Sequence, residues 1–416
     1  MIYKIKKEYI PCVKQRCEDI ANIPMVEQKS PEWFRQREEL ISASDAGYFL
    51  KMCSHSKAID TLKIKVGLKY YPNSTAKPLI HGNTYEDVTR AIYESRHGVV
   101  VTEYGLLSSK SPFIGASPDG IITDVKYPTF DSISRYGRLL EIKNPYSREI
   151  DNLVKPEYMV QILQQQYTTI LPICDFVETT IVDIHCNTSN MNYKPYVTLD
   201  DMLADTLDPL NPSHPKRIKN KNIPSTNLTR FGNEKGFVLC YSKKITSTDI
   251  RNKYVLYPLE NKYEKLAMEK WIVDMNSTMS KEGYERTGTR FWRLDVYSEK
   301  TVVYDEKLFE GNYIPRLQDV WNTIVKCRQM IKNKENVESY INDLENKKDS
   351  QFYNSNMKTR KRASVSNSIS NSISNNNMLS KSGNNKKTDF SICDNDSDYD
   401  DKSGSNDNLS NDELDF

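Results

Sequence analysis

Apolar and polar positions alternate in readable patterns over most of the chain, and the pattern stops near residue 350. Residues 30–40 predict a helix: Ser30 is a good N-cap, Pro31 suits the first helical position, and Glu32 favours the positive helix end. A second helix opens at Ser42 or Ser44. In residues 78–93, Tyr85, Val88, Ala91 and Ile92 form an apolar stripe at helical spacing, with Glu86 beside it. Residues 99–107, 113–122 and 138–143 read as strands, the last two as short buried ones bounded by Gly or Pro. Residues 155–171 read as a helix with Pro156 near its start, and residues 175–184 as a strand. Residues 123–138 are polar, contain Pro128, and suggest an extended hairpin or loop insertion.

From 187 to about 280 the pattern loosens, with strands expected at 237–241 and 254–257. A hairpin is expected from 291–297 and 300–304, followed by a helical region to 344. Residues 1–29 give no clear element. Beyond 350 Ser, Asn and Asp dominate, and such a composition buries too little apolar surface to offset ordering, so a disordered, acidic-ended tail is expected.

Composition narrows the classes. The net charge of +2 over 416 residues supplies no global basic field, so any polyanion site must be a local patch. The 8 cysteines form no C-x-x-C pair, which disfavours a zinc site or a disulfide framework and fits reduced thiols. The polar N-terminus does not resemble a signal peptide, and no apolar run reaches the roughly 18 residues of a membrane span. The expectation is a soluble, intracellular protein without a membrane partner.

The candidate chemistry sits where charge interrupts apolar strands. Asp119 follows Pro118 and precedes Gly120, while Glu141 and Lys143 flank Ile142. Two residues apart on a strand, Glu141 and Lys143 leave the same face. Buried charge is costly unless it is paired, ligates a metal or does chemistry. Each feature has an ordinary alternative: an E-x-K pair is commonly a surface ion pair, and Pro-Asp-Gly is commonly a turn. Arg37, near Ser42 and Ser44 at a helix N-terminus, suits a phosphate, though helix capping alone would explain the serines. Gln161 and Gln165, four apart, share one helix face that is either functional or merely solvated.

Taken in order, Trp33…Arg37…Ile41-Ser42-Ala43-Ser44-Asp45, Gly82…Glu86, Gly115-Ala116-Ser117-Pro118-Asp119-Gly120, Leu140-Glu141-Ile142-Lys143-Asn144-Pro145 and Tyr158-x-x-Gln161 resemble the YqaJ-like viral recombinases. That family includes the lambda-type exonucleases of the PD-(D/E)XK superfamily. The composition and acidic tail suggest a copy from a large DNA virus. The resemblance implies an α/β restriction-endonuclease-like core, a mixed sheet flanked by helices. It divides the chain into an extension (1–29), a nuclease core (30–186), a divergent insertion (187–289), a C-terminal hairpin and helix completing the domain (290–345), and the tail (346–416).

It also implies roles. Asp119, Glu141, the Ile142 backbone carbonyl and Glu86 would hold Mg²⁺ or Mn²⁺, hard cations suited to oxygen ligands. Lys143 would hold or deprotonate the attacking water, Gln161 would orient Lys143 or that water, and Arg37 with Ser44 would take a terminal 5′-phosphate. The implied activity is 5′→3′ exonucleolysis at double-stranded DNA ends. The implied partners are a single-strand annealing protein and, in a ring trimer, further copies of the chain. The expected setting is the host cytoplasm or a viral factory, with the nucleus as an alternative. A structure-specific endonuclease and a non-cleaving DNA-binding protein are the competing readings. The longer gap between Asp119 and Glu141, filled by 123–138, departs from compact members and suggests a contact with DNA or a partner.

Overall fold

The structure is a computed structural model that describes residues 10–26, 28, 30–53, 58–69, 76–185, 195–204, 228–229, 234–246, 250–346 and 352. Two stretches rich in Lys and Arg, 216–221 and 358–362, and the expected acidic tail lie outside the described residues.

The chain begins with α1 (Ile10–Ala21), α2 (Pro31–Glu38), the short β1 (Ile41–Ser42), α3 (Ala43–Phe49), α4 (Ala58–Lys65) and the long α5 (Lys77–His97). Then come β2 (Val99–Thr102), β3 (Leu107–Ser108), β4 (Ile114–Ala116), β5 (Gly120–Val125), α6 (Phe130–Arg135), β6 (Leu139–Lys143), α7 (Pro156–Thr169) and β7 (Ile173–Val182). The second half holds α8 (Leu199–Ala204), β8 (Leu228–Thr229), β9 (Lys235–Lys244), β10 (Ile250–Leu256), α9 (Lys265–Lys281), β11 (Glu285–Val303), α10 (Glu306–Leu308), a π-turn at Phe309–Tyr313, α11 (Ile314–Lys332) and α12 (Val337–Asn346).

The main sheet has the order β10-β9-β11-β7-β6-β5-β2, with β8 paired to β11. Among the described strands of this sheet only β6 and β7 run parallel; β2–β5, β5–β6, β7–β11 and β9–β11 are antiparallel. This is the mixed sheet expected from the sequence. Helices cover both faces, so β6 carries almost no exposed residue, as parallel strands buried on two sides should. On one face Leu139, Cys174, Phe176 and Val302 pack with residues of α1, α3, α4, α7 and α11. On the other, Leu140, Ile142, Val177 and Ile181 meet Tyr85, Val88 and Ile92 of α5. The α5 stripe is thus the core stripe foreseen, and α5 ends at Gly98, whose φ of 64° is the left-handed cap glycine favours.

Several expectations are corrected. The strand read at 113–122 is two strands in different sheets, β4 and β5, parted at Ser117-Pro118-Asp119. The strand read at 99–107 likewise splits into β2 and β3. The hairpin at 291–304 is one continuous 19-residue strand, β11. Its register against β7 shifts once, at Leu294/Val296, and a bulge absorbs the irregularity without reversing the chain. Because β11 starts at Glu285, it crosses the boundary placed between 289 and 290, and its first half pairs with β9 of the insertion. The insertion 123–138 is not an extended hairpin. It carries α6, whose Arg135 reaches Asp175 and Glu299 at 2.8 and 2.7 Å while Arg138 reaches Asp175 at 3.2 Å. Asp175 is fully buried, so these bonds dock the insertion on β7 and β11. The unassigned N-terminus contains α1, with Val13, Cys17 and Ile20 in the core. Among the described residues no helix is long and apolar enough to cross a membrane.

Candidate active site

The break between β4 and β5 places Asp119 beside the end of β6. Its Oδ2 accepts the Ile142 backbone N–H at 2.7 Å, so the acid is tied to the strand that bears Glu141 and Lys143. Gly120 is needed here for space: a Cβ at that position would stand 2.1 Å from Val101 Cγ1 of β2. Glu141 is fully buried, and Lys143 keeps a side-chain exposure of 23 %. The two leave the same face and pair directly, Lys143 Nζ donating to Glu141 Oε1. Lys143 Nζ also lies 5.3 Å from the centre of the Tyr158 ring.

Electrostatics bind the set together. Burial pushes the Asp119 carboxyl well above the ordinary carboxylate range, and the neighbouring Glu141 and then Glu86 add to this, against the pull of Lys143 and the Ile142 N–H. Glu86, half-buried on α5, therefore reaches the same electrostatic neighbourhood. Burial alone would lower Lys143, but Glu141 and Asp119 outweigh it and hold the ammonium charged. Carboxylates that raise one another in this way are what a hard divalent cation relieves. As they stand, however, among the described residues no three His, Cys, Asp or Glu side chains close around a metal position. The Lys143 ammonium takes one oxygen of Glu141, and the Ile142 N–H takes one of Asp119. The donor set fits such an ion by chemistry, with Lys143 standing as the counter-charge.

The glutamines of α7 are placed differently from the expectation. Gln165 Nε2 donates to Glu141 Oε2 at 2.7 Å, whereas Gln161, one turn earlier, is half-buried and does not hold this carboxylate. The glutamine bonded to the strand acid is therefore Gln165, a contact distinct from the role expected of Gln161, which was to orient Lys143 or the attacking water. The glutamine run is not a solvated face either. Gln164 donates to the Ile41 and Gly115 carbonyls at 2.8 and 2.9 Å, and Gln166 to those of Pro172 and Val302 at 2.8 and 2.9 Å. Three consecutive amides thereby brace β1 and β4, the strand acid and β11.

The second cluster lies at the start of α3. Arg37 Nη2 donates to Ser42 Oγ at 2.9 Å and Ser44 Oγ at 2.7 Å, and its guanidinium stacks 4.4 Å from the Trp33 ring centre. Arg37 Nε is buried with no hydrogen-bond partner. Ser42 caps α3 in a capping box with Asp45, and Asp45 pairs with the buried Lys65 at 2.7 Å. Burial alone would raise the Asp45 carboxyl, but Lys65 and Arg37 bring it below its usual value. Trp33 Nε1 donates to Ser117 Oγ at 3.2 Å, two residues before Asp119. Ser42 thus caps the helix, as the capping alternative expects, and together with Ser44 it also receives Arg37.

With this geometry in place, the model of the YqaJ-like viral recombinase domain matches residues 32–171. Over those residues the chain is similar to the YqaJ-like viral recombinases. Arg37, Ser44, Glu86, Asp119, Glu141, Lys143 and Gln161 all lie inside the YqaJ-like span, as does Gln165. An uncharacterized protein of Acanthamoeba polyphaga mimivirus is 31% identical over 332 residues, which cover 76% of this chain and 55% of the relative. The chain thus spans about half the length of the curated relative it matches, and that relative belongs to a large DNA virus, as the composition suggests. Among solved structures, the alkaline exonuclease LHK-Exo of Laribacter hongkongensis is similar, at 26% identity over 36% of this chain and 74% of that one, with a TM-score of 0.29. A second structure of LHK-Exo, in complex with dAMP, gives the same values.

Sequence reasoning on the YqaJ-like domain missed Trp33 and Ser117 as a physical link between the two clusters. It also missed Lys65 beneath Arg37, whose carbonyl accepts from Lys65 Nζ at 2.6 Å. Trp33 and Ser117 were visible as motif residues, whereas Lys65 stands in an ordinary helix and carries no such signal.

Proposed function

We propose that this protein is a metal-dependent deoxyribonuclease that degrades double-stranded DNA from its ends in the 5′→3′ direction. The observation that carries the reading is the meeting of Asp119, Glu141 and Lys143 where β5 begins and β6 ends, with Glu86 of α5 acting on Asp119 through its charge and the Arg37–Ser44 cluster linked to the Asp119 loop through Trp33 and Ser117. The YqaJ-like match over the same residues supports it.

Asp119, Glu141, the Ile142 carbonyl and Glu86 would hold Mg²⁺ or Mn²⁺. Such an ion supplies charge neutralisation at the phosphorus and a water of lowered pKa. Lys143 is held charged in the resting site, so its first task is to balance Glu141 and to donate to an oxygen of the phosphodiester. A charge that displaces it from Glu141 would lower its pKa and let it accept a proton. Gln165 fixes Glu141 from behind. Arg37, with one buried N–H unsatisfied, and the hydroxyls of Ser42 and Ser44 offer donors to a terminal phosphate, which would set where digestion begins.

The test is digestion with Mg²⁺ of linear duplexes carrying a 5′-phosphate or a 5′-hydroxyl, alongside closed circular DNA. Linear 5′-phosphorylated DNA should be degraded fastest and circles left intact. Asp119→Asn, Glu141→Gln and Lys143→Ala should each lose at least about a thousandfold, and Arg37→Ala should remove the preference for the phosphate. Nicking of circles by the wild type would instead establish an endonuclease, and binding without turnover a DNA-binding protein.

A further inference from the structure

The loop between β6 and α7 carries an arginine that the site described above does not use. Arg148 pairs through Nη2 with Glu178 Oε1, and Glu178 is only 1 % exposed on β7. Its Nη1 donates to the Glu149 carbonyl at 3.2 Å, and the guanidinium carbon lies 6.0 Å from the Tyr158 ring centre. In register, Glu178 stands directly across from Lys143. Tyr158 is therefore flanked by two cations, Lys143 at 5.3 Å and Arg148 at 6.0 Å, which puts the two charges at most about 11 Å apart. At ~3.4 Å of axial rise per nucleotide, that upper bound corresponds to no more than about three steps along a strand.

Stability alone is a weak reason for this pair. Burial raises the Glu178 carboxyl, and Arg148 does not fully offset it. Buried ion pairs of this kind are commonly matched or bettered by apolar replacements. What the pair does secure is direction: the forked guanidinium is fixed by a buried acid and a backbone carbonyl and keeps 23 % side-chain exposure. Lys155, at the N-cap of α7, is close enough to Arg148 to have its pKa lowered, first by burial and next by that charge. The acids nearby are Glu149, Asp151 and Glu157, and Asp151 faces Glu178 and Lys155.

We propose that Arg148, clamped by Glu178 beside Tyr158, binds a backbone phosphate of the DNA strand within about three nucleotides of the scissile one. The proposal rests on the nuclease reading and adds a second phosphate contact, separate from the Arg37 cluster. Lys143 addresses the reacting phosphate, and Arg148 holds the strand in register across the site without touching the reacting atoms.

Arg148→Ala is compared with the wild type in two measurements. The first is steady-state digestion of linear duplex DNA with Mg²⁺. The second is equilibrium binding by fluorescence anisotropy, with Ca²⁺ in place of Mg²⁺, across a salt series. The expected results are a rise in KM of about fivefold with kcat within about twofold, and a salt slope smaller by about one. Arg148→Lys should restore the slope. If Arg148→Ala does not fold, the double variant Arg148→Met/Glu178→Met, which removes both buried charges, should fold and show the same two changes. An unchanged slope and KM in a DNA-degrading protein overturns the proposal, as does a loss confined to kcat. A wild type that degrades no DNA overturns the nuclease reading instead.

Discussion

Gln165→Ala separates the tertiary arrangement from the motif. Gln165 donates to a carboxylate that is fully buried, so its removal leaves Glu141 Oε2 without that partner. A hydrogen bond to a charged group contributes about 1.5–3 kcal/mol. Helix propensity separates Gln from Ala by only a few tenths of a kcal/mol, so the substitution itself does not mask the loss. We expect Gln165→Ala to cost about 2 kcal/mol in a denaturant titration. If Glu141 must keep its orientation through the reaction, the same energy slows kcat about 30-fold, at about 1.4 kcal/mol per tenfold. Gln161→Ala, at a half-buried position, should stay within about 0.5 kcal/mol and threefold. The assay is single-turnover digestion of an end-labelled duplex with Mg²⁺, run beside the titration. A larger rate loss in Gln161→Ala than in Gln165→Ala would refute the assignment of Gln165 as the residue that holds Glu141.

Two further outcomes follow from charge. Asp119 carries a raised pKa, so in the metal-free protein its ionisation opposes folding: stability falls as pH rises from the unfolded carboxylate value through the folded one. Asp119→Asn should therefore raise the metal-free Tm at pH 8, while Mg²⁺ should raise the Tm of the wild type and not that of the variant, read by thermal melting. His81 behaves in the opposite sense. Burial lowers it to about 4, with Asp183 opposing and Arg290 assisting, so its contribution is complete above about pH 6.5 and is lost as pH falls toward 4. That window is on the order of 3 kcal/mol, and His81→Phe, packed on Tyr85 and Tyr146, should flatten it when denaturant midpoints at pH 7 and pH 4.5 are compared.

The start of α2, the α5 core stripe and the charged residues of the candidate site were legible along the chain because each depends on local spacing. A two-residue period puts Glu141 and Lys143 on one face wherever the strand goes, and a Ser-Pro-Glu start writes α2 in advance. Contacts between elements were not legible. On α7, residues 159, 160 and 162–169 are all buried, so no apolar stripe marks which face meets β6, and only packing decided that Gln165 reaches Glu141. The 113–122 segment reads as one apolar run, yet Ser117-Pro118-Asp119 interrupts its pairing and sends its halves into two sheets. The insertion 123–138 read as an extended hairpin or loop because its buried residues include Ser132, Arg135 and Arg138, and the partners of the two arginines, Asp175 and Glu299, lie far along the sequence. Sequence by itself determined which residues can do chemistry and which share a face. The tertiary structure alone decided which of them meet, because a buried charge is tolerated only where a distant partner satisfies it.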